Sequence, residues 1–545
     1  MKTIAEILLL CLLLIACKEN KNPETNDEPF VLEEISIDGL VNQSAYEDIS
    51  TNAVVVLTFS EKVDLSTTEK NITLKKDNVA VPLSFISENN PIIQITFPEL
   101  ATFSKYELTI NSGLKSESGT LIYTGRNFTF STGMDLSDKF PIISDEALMA
   151  MVQEKTFRYF WDFAHPSSGM ARERTTSGNT VTTGGTGFGI MAIIAASYRN
   201  FISKQQALDR IIKIVDFLGN KCVRYHGAFS HWINGETGAT IPFSANDDGA
   251  DIVETAFLFQ GLLSARAYFD GAGAAESKLR ADITGLWEAV EWTWFTKNGE
   301  TVIYWHWSPD KAWTINLKVS GWNEALLVYV LAASSPTHAI DKRVYDEGWA
   351  RNGAIVNGSK FYGITLPLGN SYGGPLFFCH YSFLGLDPKR IADQYADYWE
   401  QNCAHCQINY NYCVENPQKY GGYGQDCWGL TASDGNEGYS AFSPSNDKGV
   451  IAPTAAIASL PYTPEASLRA LRFFYYKLGD KLWGEYGFYD AFNLSQGWFD
   501  NQYLAIDQGP IVVMIENYRS GLLWSLFMSD TNIIDGLKKL DFQIK

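Results

Sequence analysis

The chain has 545 residues, of which 46% are hydrophobic and 19% are charged, so it can bury large cores. Its 43 Lys and Arg residues face 62 Asp and Glu residues, and the formal net charge of -19 argues against nucleic acid as a partner. The 15 Trp, 27 Tyr and 32 Phe residues together outnumber the basic residues. Aromatic faces with polar rims suit sugar rings, which present apolar C–H patches edged by hydroxyls.

The first residues have the layout of a secretion signal. Lys2 precedes an apolar run from Ile7 to Ile15, which is too short to span a bilayer, and Ala16 and Cys17 follow. The run LIAC resembles a bacterial lipobox, in which cleavage leaves Cys17 as a lipid-carrying N-terminus. We therefore expect a signal peptide at 1–16 and an exported bacterial lipoprotein anchored in the outer membrane, on its periplasmic or cell-surface face. An ordinary signal peptide with an incidental cysteine is the alternative.

Two segments of different composition follow. Residues 17–29 are polar and contain proline, which is typical of a flexible tether. From 30 to 133, short β-rich runs alternate with turn residues, and they lie at 53–60, 71–76, 81–87, 92–98, 106–113 and 128–132. This spacing predicts a small all-β sandwich. The run YELTINSGLKSESG and the closing FTFST resemble bacterial Ig-like modules that precede enzymes in exported proteins.

After Asp145 the hydrophobic period changes from 2 to 3.6. The pattern predicts long helices at 145–164, 187–200, 203–219, 247–269, 276–296, 321–334, 388–402, 464–478 and 508–529, and shorter ones at 376–386, 425–433 and 450–459. About twelve helices, six inner and six outer, fit an (α/α)6 toroid over 140–545 with a deep pocket at one end. The predicted fold is therefore multidomain, an Ig-like all-β sandwich followed by an all-α toroid.

The most informative stretch runs from Asn246 to Glu254. Asp247, Asp251 and Glu254 stand at i, i+4 and i+7, so on the predicted helix 247–269 their carboxylates share one face. Like charges at this spacing destabilise a helix, which favours a chemical role. The alternative is that Asp247 or Asp248 caps the helix.

A second acid, Glu324, stands almost alone in the apolar run GWNEALLVYV. If it is desolvated, its pKa should be raised, as a general acid at neutral pH requires. Pairing with a helix dipole is the alternative. Trp305 and Trp307 lie in the aromatic-dense run YWHWSP, and Trp322 lies beside the acid, so we expect these rings to bind substrate. Aromatic pocket walls and a buried acid belong together in glycoside hydrolysis.

Weaker candidates lie elsewhere in the predicted toroid. Asp434 stands in a turn, and Asp507 precedes the last long helix as an N-cap candidate. Arg172 and Arg174, with the glycines of TTGGTGFG, could place donors at a sugar, or they could form a salt-bridged turn.

Four cysteines at 403, 406, 413 and 427 are a weak zinc signal, because a second C-x-x-C is missing. A disulfide or buried free thiols fit an exported protein better. The chain has no HExxH or EF-hand motif, so we expect neither a metal nor a cofactor.

Several motifs occur in a familiar order from about residue 145 to 540. They include TFRYFWDFAHPSSGMARER, VTTGGTGFGIMAI, YHGAFSHWINGETG, DDGADIVETAFLFQGLL, YWHWSP, GWNEALLVYVLAASSPTH, CWGLTASDG and AIDQGPIVVMIENYRSGLLW. Together they resemble the glucoamylase-like domain of glycoside hydrolase family 144. The resemblance implies an (α/α)6 barrel that cleaves β-1,2-glucan or sophoro-oligosaccharides with inversion. The family's proposed acidic residues would fall on Asp247, Asp251, Glu254 and Glu324.

We therefore expect a monomeric β-1,2-glucanase-type hydrolase that acts on a β-glucan or oligosaccharide. Glu324 is the expected acid, and a carboxylate from 247–254, or Asp507, is the expected base. Inversion requires the two groups to lie about 6.5–9.5 Å apart. Two alternatives stay open, a non-catalytic glycan-binding lipoprotein and a toroid hydrolase of another glucan.

Overall fold

The computed structural model describes residues 29–87, 91–135 and 137–545. The chain divides into two compact units, Met1–Gly133 and Met134–Lys545. The predicted signal peptide, Cys17 and the tether up to residue 28 lie outside the described residues. Within the described part of the chain, no helix has both the length and the apolar character that crossing a membrane requires.

The first unit is a sandwich of two five-stranded sheets. Its strands are β1 Leu32–Ile37, β2 Leu40–Val41, β3 Tyr46–Ile49, β4 Val55–Phe59, β5 Ile72–Lys76, β6 Val79–Val81, β7 Ser84–Ile86, β8 Ile92–Thr96, β9 Lys105–Ile110 and β10 Arg126–Thr132. The sheet orders are β2-β1-β4-β8-β7 and β3-β10-β9-β5-β6. Alternate residues of β4 and β9 are buried in the shared core, so the predicted sandwich is confirmed.

The second unit is mainly helical. Its helices of six or more residues, within the described chain, are α1 Asp145–Trp161, α2 Thr183–Tyr198, α3 Lys204–Asn220, α4 Ile252–Tyr268, α5 Ala274–Glu288, α6 Leu326–Ser334, α7 Tyr398–Glu415, α8 Pro453–Ala458, α9 Pro464–Arg472, α10 Ala505–Arg519, α11 Leu522–Phe527 and α12 Thr531–Lys539. Shorter helical turns lie at Lys342–Val344, Tyr345–Trp349, Leu376–Cys379, Ser382–Leu384 and Phe473–Lys477.

Outer and inner helices alternate along the chain. The inner helices α2, α4, α6, α8 and α10 are buried along most of their length, whereas α3 and α9 bury one face only. Around the ring, α10 packs on α2, α2 on α4, α4 on α6, and α8 on α10. The turn at Ser382–Leu384 packs on both α6 and α10 and so completes the inner ring. This arrangement confirms the predicted (α/α)6 toroid.

Short strands brace the loops at the N-terminal ends of the inner helices. They include β11 Thr180–Thr182, β12 Trp232–Asn234, β13 Thr240–Ile241, β14 Ala250–Asp251, β15 Ile303–Tyr304 and β16 His306–Trp307. The antiparallel pair β14–β16 places Asp251 opposite His306. The remaining pairs of two-residue strands join Lys318–Val319 to β15, Lys360–Phe361 to Ile364–Thr365, Ile391–Ala392 to Gln543–Ile544, Ala432–Ser433 to Ser440–Ala441, Trp483–Gly484 to Gly487–Phe488, and Phe492–Asn493 to Trp498–Phe499.

Several predicted helix bounds were wrong, and capping explains two of them. The helix predicted at 388–402 begins at Tyr398, because the Asp397 side chain accepts hydrogen bonds from the next free backbone N–H groups. The helix predicted at 247–269 begins at Ile252 for the same reason, with Asp251 as its cap. The predicted helix 425–433 is absent, and its end forms the short strand Ala432–Ser433.

Glycines bring α2 and α4 into backbone contact. A Cβ at Gly187 would lie 2.1 Å from the carbonyl oxygen of Phe257, and one at Gly261 would lie 2.2 Å from the carbonyl oxygen of Gly187. Only glycine permits this approach. Gly187 of TTGGTGFG therefore packs α2 against α4, which differs from its predicted role as a sugar-binding donor.

Candidate active site

A cavity of about 400 Å³ opens where the inner helices begin. Its walls come from the first turns of α4 and α10 and from the segments that precede α2 and α6. Its size suits a small organic ligand. The lining residues are Glu173, Arg174, Thr182, His231, Trp232, Phe243, Glu254, Phe257, Trp305, Glu324, Phe377, Tyr381, Ala432, Tyr439, Leu504 and Ile506.

Asp251 is a buried anchor behind one wall of this cavity. Its Oδ1 accepts the backbone N–H groups of Val253 and Glu254 at 3.0 and 2.9 Å. Its Oδ2 accepts from His231 Nδ1 at 3.1 Å and Trp305 Nε1 at 3.2 Å. His306 Nε2 lies 3.5 Å from the same oxygen. Five donors therefore occupy the carboxylate and leave it little freedom to serve as a base.

Two histidines carry the positive charge beside this anchor. Burial lowers the pKa of His231, but the charges of Glu254, Asp251 and Asp247 outweigh burial and raise it to about 9. Burial also opposes the charge of His306, and its contacts with Asp247 and Asp251 raise that pKa to about 10. Burial favours neutral Asp251, but the two histidines hold the pKa of this carboxyl well below its ordinary value.

The predicted helical stripe of three carboxylates is wrong. Asp247 lies in a turn before the helix and contacts His306 Nε2 at 3.1 Å. Asp251 is the N-cap, so only Glu254 lies on α4. Asp248, the alternative cap, instead forms an ion pair with Lys311 at 2.9 Å.

Glu254 projects from the first turn of α4 into the cavity. Its Oε2 accepts the backbone N–H of Gly184 at 2.7 Å and the hydroxyl of Thr182 at 3.3 Å. A Cβ at Gly184 would lie 2.7 Å from the same oxygen, so the missing side chain makes room for the carboxylate. Burial raises the pKa of Glu254, and the charge of His231 opposes this rise.

Glu324 lines the cavity from the segment that leads into α6. The helix begins at Leu326, two residues later than the acid, so the predicted helix 321–334 is too long and Glu324 lies outside the first turn. Its carbonyl oxygen accepts the hydroxyl of Ser382, which fixes the backbone. Burial raises the pKa of Glu324 to about 7, its own backbone N–H opposes the rise, and the charge of Glu254 adds to it.

A second group of acids lies around Arg174. Its guanidinium bonds Asp434 at 2.8 Å and Glu173 at 3.1 Å. The backbone N–H of Asp434 in turn donates to Asp490 Oδ2 at 2.7 Å. Arg174 therefore lines the cavity with its charge already shared between two carboxylates.

Asp507 lies in the first turn of α10, whose N-cap is Leu504, so its predicted position as the N-cap is wrong. It is only 2% exposed and follows Ile506, which lines the cavity. Burial raises the pKa of Asp507 to about 7, whereas a hydrogen bond with the Asp490 carboxyl acts in the opposite direction. This group belongs to the buried back of the cavity wall.

Aromatic rings form part of the cavity wall. His231 stacks on Phe243 with ring centres 4.3 Å apart, and Trp232 packs on the same ring at 4.8 Å. Tyr381 and Tyr439 also line the cavity. These residues were not predicted from the sequence. His231 stands beside a tryptophan in the run YHGAFSHWINGETG, whereas no motif marks the two tyrosines.

Three predicted substrate-binding residues do not line this cavity. Trp307 packs edge-on against the His226 ring at 4.9 Å. Trp322 is 6% exposed and packs among core rings such as Phe383. Arg172 lies over the Phe163 ring and donates to a loop carbonyl. Of the predicted binding residues, the structure brings Trp305 and Arg174 to the cavity, and Asp434 lies behind Arg174.

The cysteines of the described residues are free thiols. Cys406 and Cys413 are buried on α7, and Cys427 is buried in the loop beyond it. Cys406 Sγ lies 3.5 Å from Cys379 Sγ, beyond the length of a disulfide bond. The structure therefore has free thiols at positions 403, 406, 413 and 427, three of them buried and Cys403 half-buried.

Comparisons with known proteins agree with both units. A family model described as "Putative glucoamylase" matches residues 316–531, and one described as "Bacterial Ig-like domain" matches 34–132. The endo-β-1,2-glucanase from Chitinophaga pinensis is 53% identical, covers 74% of this chain and 99% of its own, and superposes with a TM-score of 0.72. The chain belongs to glycoside hydrolase family 144.

The chain is also similar to β-1,2-glucan-cleaving enzymes of Parabacteroides distasonis. The structure of a β-1,2-glucanase is 39% identical over 94% of this chain and 72% of that chain, with a TM-score of 0.71. An exo-β-1,2-glucooligosaccharide sophorohydrolase acting at the non-reducing end is 47% identical over 420 residues, 73% of this chain. The present chain spans 58% of the length of that sophorohydrolase.

Proposed function

We propose that this protein is an inverting glycoside hydrolase that cleaves β-1,2-glucan or sophoro-oligosaccharides. Support comes from the family and from relatives whose names specify this linkage. One of these relatives is named as exo-acting and another as endo-acting, so the proposal concerns the linkage and the chemistry and leaves the position of cleavage open.

The observation that carries the mechanism is the state of Glu324. It lines the cavity, it is 9% exposed, and burial raises its pKa to about 7. A carboxyl that keeps its proton near neutral pH can give that proton to a glycosidic oxygen. The neighbouring Glu254 supports this state, because its negative charge disfavours ionisation of Glu324.

We assign Asp507 as the base, because His231 and His306 hold Asp251 and Asp247. Burial raises the pKa of Tyr381, and the charges of Asp507 and Glu324 both raise it further, so this tyrosine at the cavity wall lies near both acids. Glu254 acts directly on Glu324, which makes it a close neighbour of the acid. An inverting enzyme requires acid and base to lie on opposite faces of the sugar, with water between them.

In the proposed step, Glu324 gives its proton to the oxygen that links two glucose units. The bond from that oxygen to the anomeric carbon breaks as a water oxygen attacks the carbon from the opposite face. Asp507 accepts a proton from this water. The products are a reducing sugar of inverted configuration and an alcohol, and a proton exchange with solvent restores both carboxyls.

The substrate assignment is tested by incubating the protein with linear β-1,2-glucan, starch and laminarin and separating the products by chromatography. We expect products from β-1,2-glucan and none from starch. Glucose from starch without any product from β-1,2-glucan would favour an enzyme for another glucan. Binding of β-1,2-glucan with no product would favour the glycan-binding lipoprotein.

The acid assignment is tested with Glu324→Gln, which keeps the size of the side chain but cannot donate a carboxyl proton. Turnover of sophoro-oligosaccharides should fall about 10²–10⁴-fold. A nitrophenyl sophoroside, whose leaving group needs no proton, should lose far less. Glu300→Gln is the matched control, because this exposed acid bonds the Tyr304 hydroxyl outside the cavity and should leave turnover unchanged. Equal losses on both substrates would remove Glu324 from acid catalysis.

We also propose that the protein is exported, acts as a monomer and is anchored to the outer membrane by lipid on Cys17. The support is the signal-like start, the run LIAC and the polar segment after it. Cys17→Ser should move the protein from the membrane fraction to the soluble fraction. Unchanged fractionation would refute the anchor, and light scattering would test the monomer.

A further inference from the structure

Asp490 contacts Asp507 behind the cavity wall. Asp490 was not predicted as a site residue, and it lies in the loop between the short strands Gly487–Phe488 and Phe492–Asn493. It is 2% exposed, as is Asp507. Its backbone N–H donates to the Gln502 carbonyl at 3.0 Å, and its Oδ2 accepts the backbone N–H of Asp434 at 2.7 Å. These bonds fix the second carboxyl.

In the described part of the chain, three of the four carboxyl oxygens of this pair are buried without a donor. Among the described residues, no N–H group and no hydroxyl donates to either oxygen of Asp507 or to Oδ1 of Asp490. Asp490 is the side chain whose hydrogen bonding opposes the raised pKa of Asp507, so the two carboxyls face each other. Ionised carboxylates are acceptors only, so a hydrogen bond between them requires that one of the pair carries a proton. Two buried like charges in contact would also be strongly unfavourable.

No neighbouring group of the described structure supplies a free positive charge that would offset two ionised carboxylates. Arg174 is the cation that acts on Asp507, and it is already bonded to Asp434 and Glu173. The charge of Asp500 acts on Asp490 and adds to the negative potential.

Groups from other elements also face the pair. Tyr381 and Tyr439 lie on its cavity side, where the charge of Asp507 disfavours ionisation of both. A phenol that keeps its proton does not offset a carboxylate charge. A shared proton therefore offsets the excess charge within this group.

We propose that Asp490 is a positioning residue that shares one proton with Asp507 and thereby sets the pH range in which Asp507 accepts a proton from water. The inference rests on the proposed role of Asp507 as the base. Asp490 donates to Asp507 while Asp507 is ionised, which favours the form that can act as a base. When water attacks the sugar, its O–H bond breaks and that proton goes to Asp507, while Asp490 keeps its own.

Two substitutions of Asp490 separate this role from a structural one. Asp490→Asn keeps an N–H donor for Asp507 and an oxygen that can accept the backbone N–H of Asp434. Asp490→Ala removes both. The assay is the pH dependence of kcat/KM on sophorotriose, with melting temperature measured on each variant and Asp507→Asn as a third variant.

The two variants should differ in the acidic limb of the pH profile. The limb should move to higher pH by about one unit in Asp490→Ala, because the ionised base loses its donor. In Asp490→Asn it should stay in place or move to lower pH. KM should change little in both. A structural role alone would lower the melting temperatures and leave the two limbs together.

Asp507→Asn separates the failure of this inference from the failure of the proposed mechanism. If Asp507→Asn is inactive and the two Asp490 variants show unshifted profiles, the shared proton is refuted and the base assignment stands. If Asp507→Asn turns over at the wild-type rate, the base assignment and the inference both fail. An inactive Asp507→Asn with opposite behaviour of the Ala and Asn variants supports both.

Discussion

Replacing Asp251 by asparagine should destabilise the helical unit severely, because Asp251 is an anchor for five donors. An asparagine oxygen can still cap α4 by accepting the N–H groups of Val253 and Glu254. The amide nitrogen, however, would meet the donors of His231 and Trp305, and the charge opposite the histidines would be lost. Removing one partner of a buried charge pair costs about 3–5 kcal/mol, so we expect a loss of that order.

Tryptophan fluorescence during urea unfolding measures this loss selectively. All 15 tryptophans lie between residues 161 and 524, in the helical unit. The control is Asp248→Asn, three residues away, whose partner Lys311 is 38% exposed and whose ion pair should contribute only about 0–1 kcal/mol. If Asp251→Asn were as stable as this control while its turnover fell more than a hundredfold, Asp251 would be a catalytic group and the anchor interpretation would be wrong.

The same network predicts how stability depends on pH. Folding raises the pKa of His231 from 6.5 to about 9 and that of His306 from 6.5 to about 10. The stability contributed by their charges is therefore complete below about pH 6.5 and is lost as the pH rises through 9 to 10. The lowered pKa of Asp251 gives the opposite dependence in acid, where its contribution is lost as the pH falls. Asp251→Asn should show a flatter decline in base than the wild type.

Two further predictions concern packing and domain organisation. Gly184→Ala should reduce turnover, because its Cβ would lie 2.7 Å from Glu254 Oε2. The control is Gly285→Ala, whose Cβ would have no atom within 4 Å and whose stability should rise by about 0.5–1 kcal/mol. Equal turnover in the two variants would contradict the predicted crowding of Glu254. A protein starting at Met134 should fold and keep its activity on short sophoro-oligosaccharides, because the cavity-lining residues lie between 173 and 506. If a folded sample lost most of that activity, the Ig-like unit would contribute to the site.

The fold was predictable because it depends on long-range hydrophobic periodicity. Period 2 up to residue 132 and period 3.6 after Asp145 separate the two units, and the buried inner helices are continuous apolar runs. Helix starts were less predictable, because caps and strand pairs decide them locally. The pairing of Asp251 with His306, 55 residues later in the chain, moved the start of α4 and separated Asp247 from Glu254.

The sequence indicated which acidic residues belong to the site, but the role of each one depends on partners that are distant in sequence. The spacing of Asp247, Asp251 and Glu254 gave no indication that two histidines neutralise the first two. Asp490 carried no motif, and its contact with Asp507 follows only from the folded loops. Trp322 failed as a pocket residue because proximity to Glu324 in sequence does not fix which side of the segment faces the cavity.

Neutralisation of Asp251 by the histidines leaves Glu254 as the acid whose charge acts most directly on Glu324. Burial is the largest cause of the raised pKa of Glu324, and the charge of Glu254 is the next cause that raises it. Glu254→Gln removes this charge and keeps an oxygen that can accept the N–H of Gly184 at its present position. The pKa of Glu324 should therefore fall, and the basic limb of the pH profile of kcat, which reports loss of the acid's proton, should move to lower pH. If the basic limb stays in place while turnover falls sharply, Glu254 itself takes part in the chemistry, and the assignment of Asp507 as the base would have to be given up in its favour.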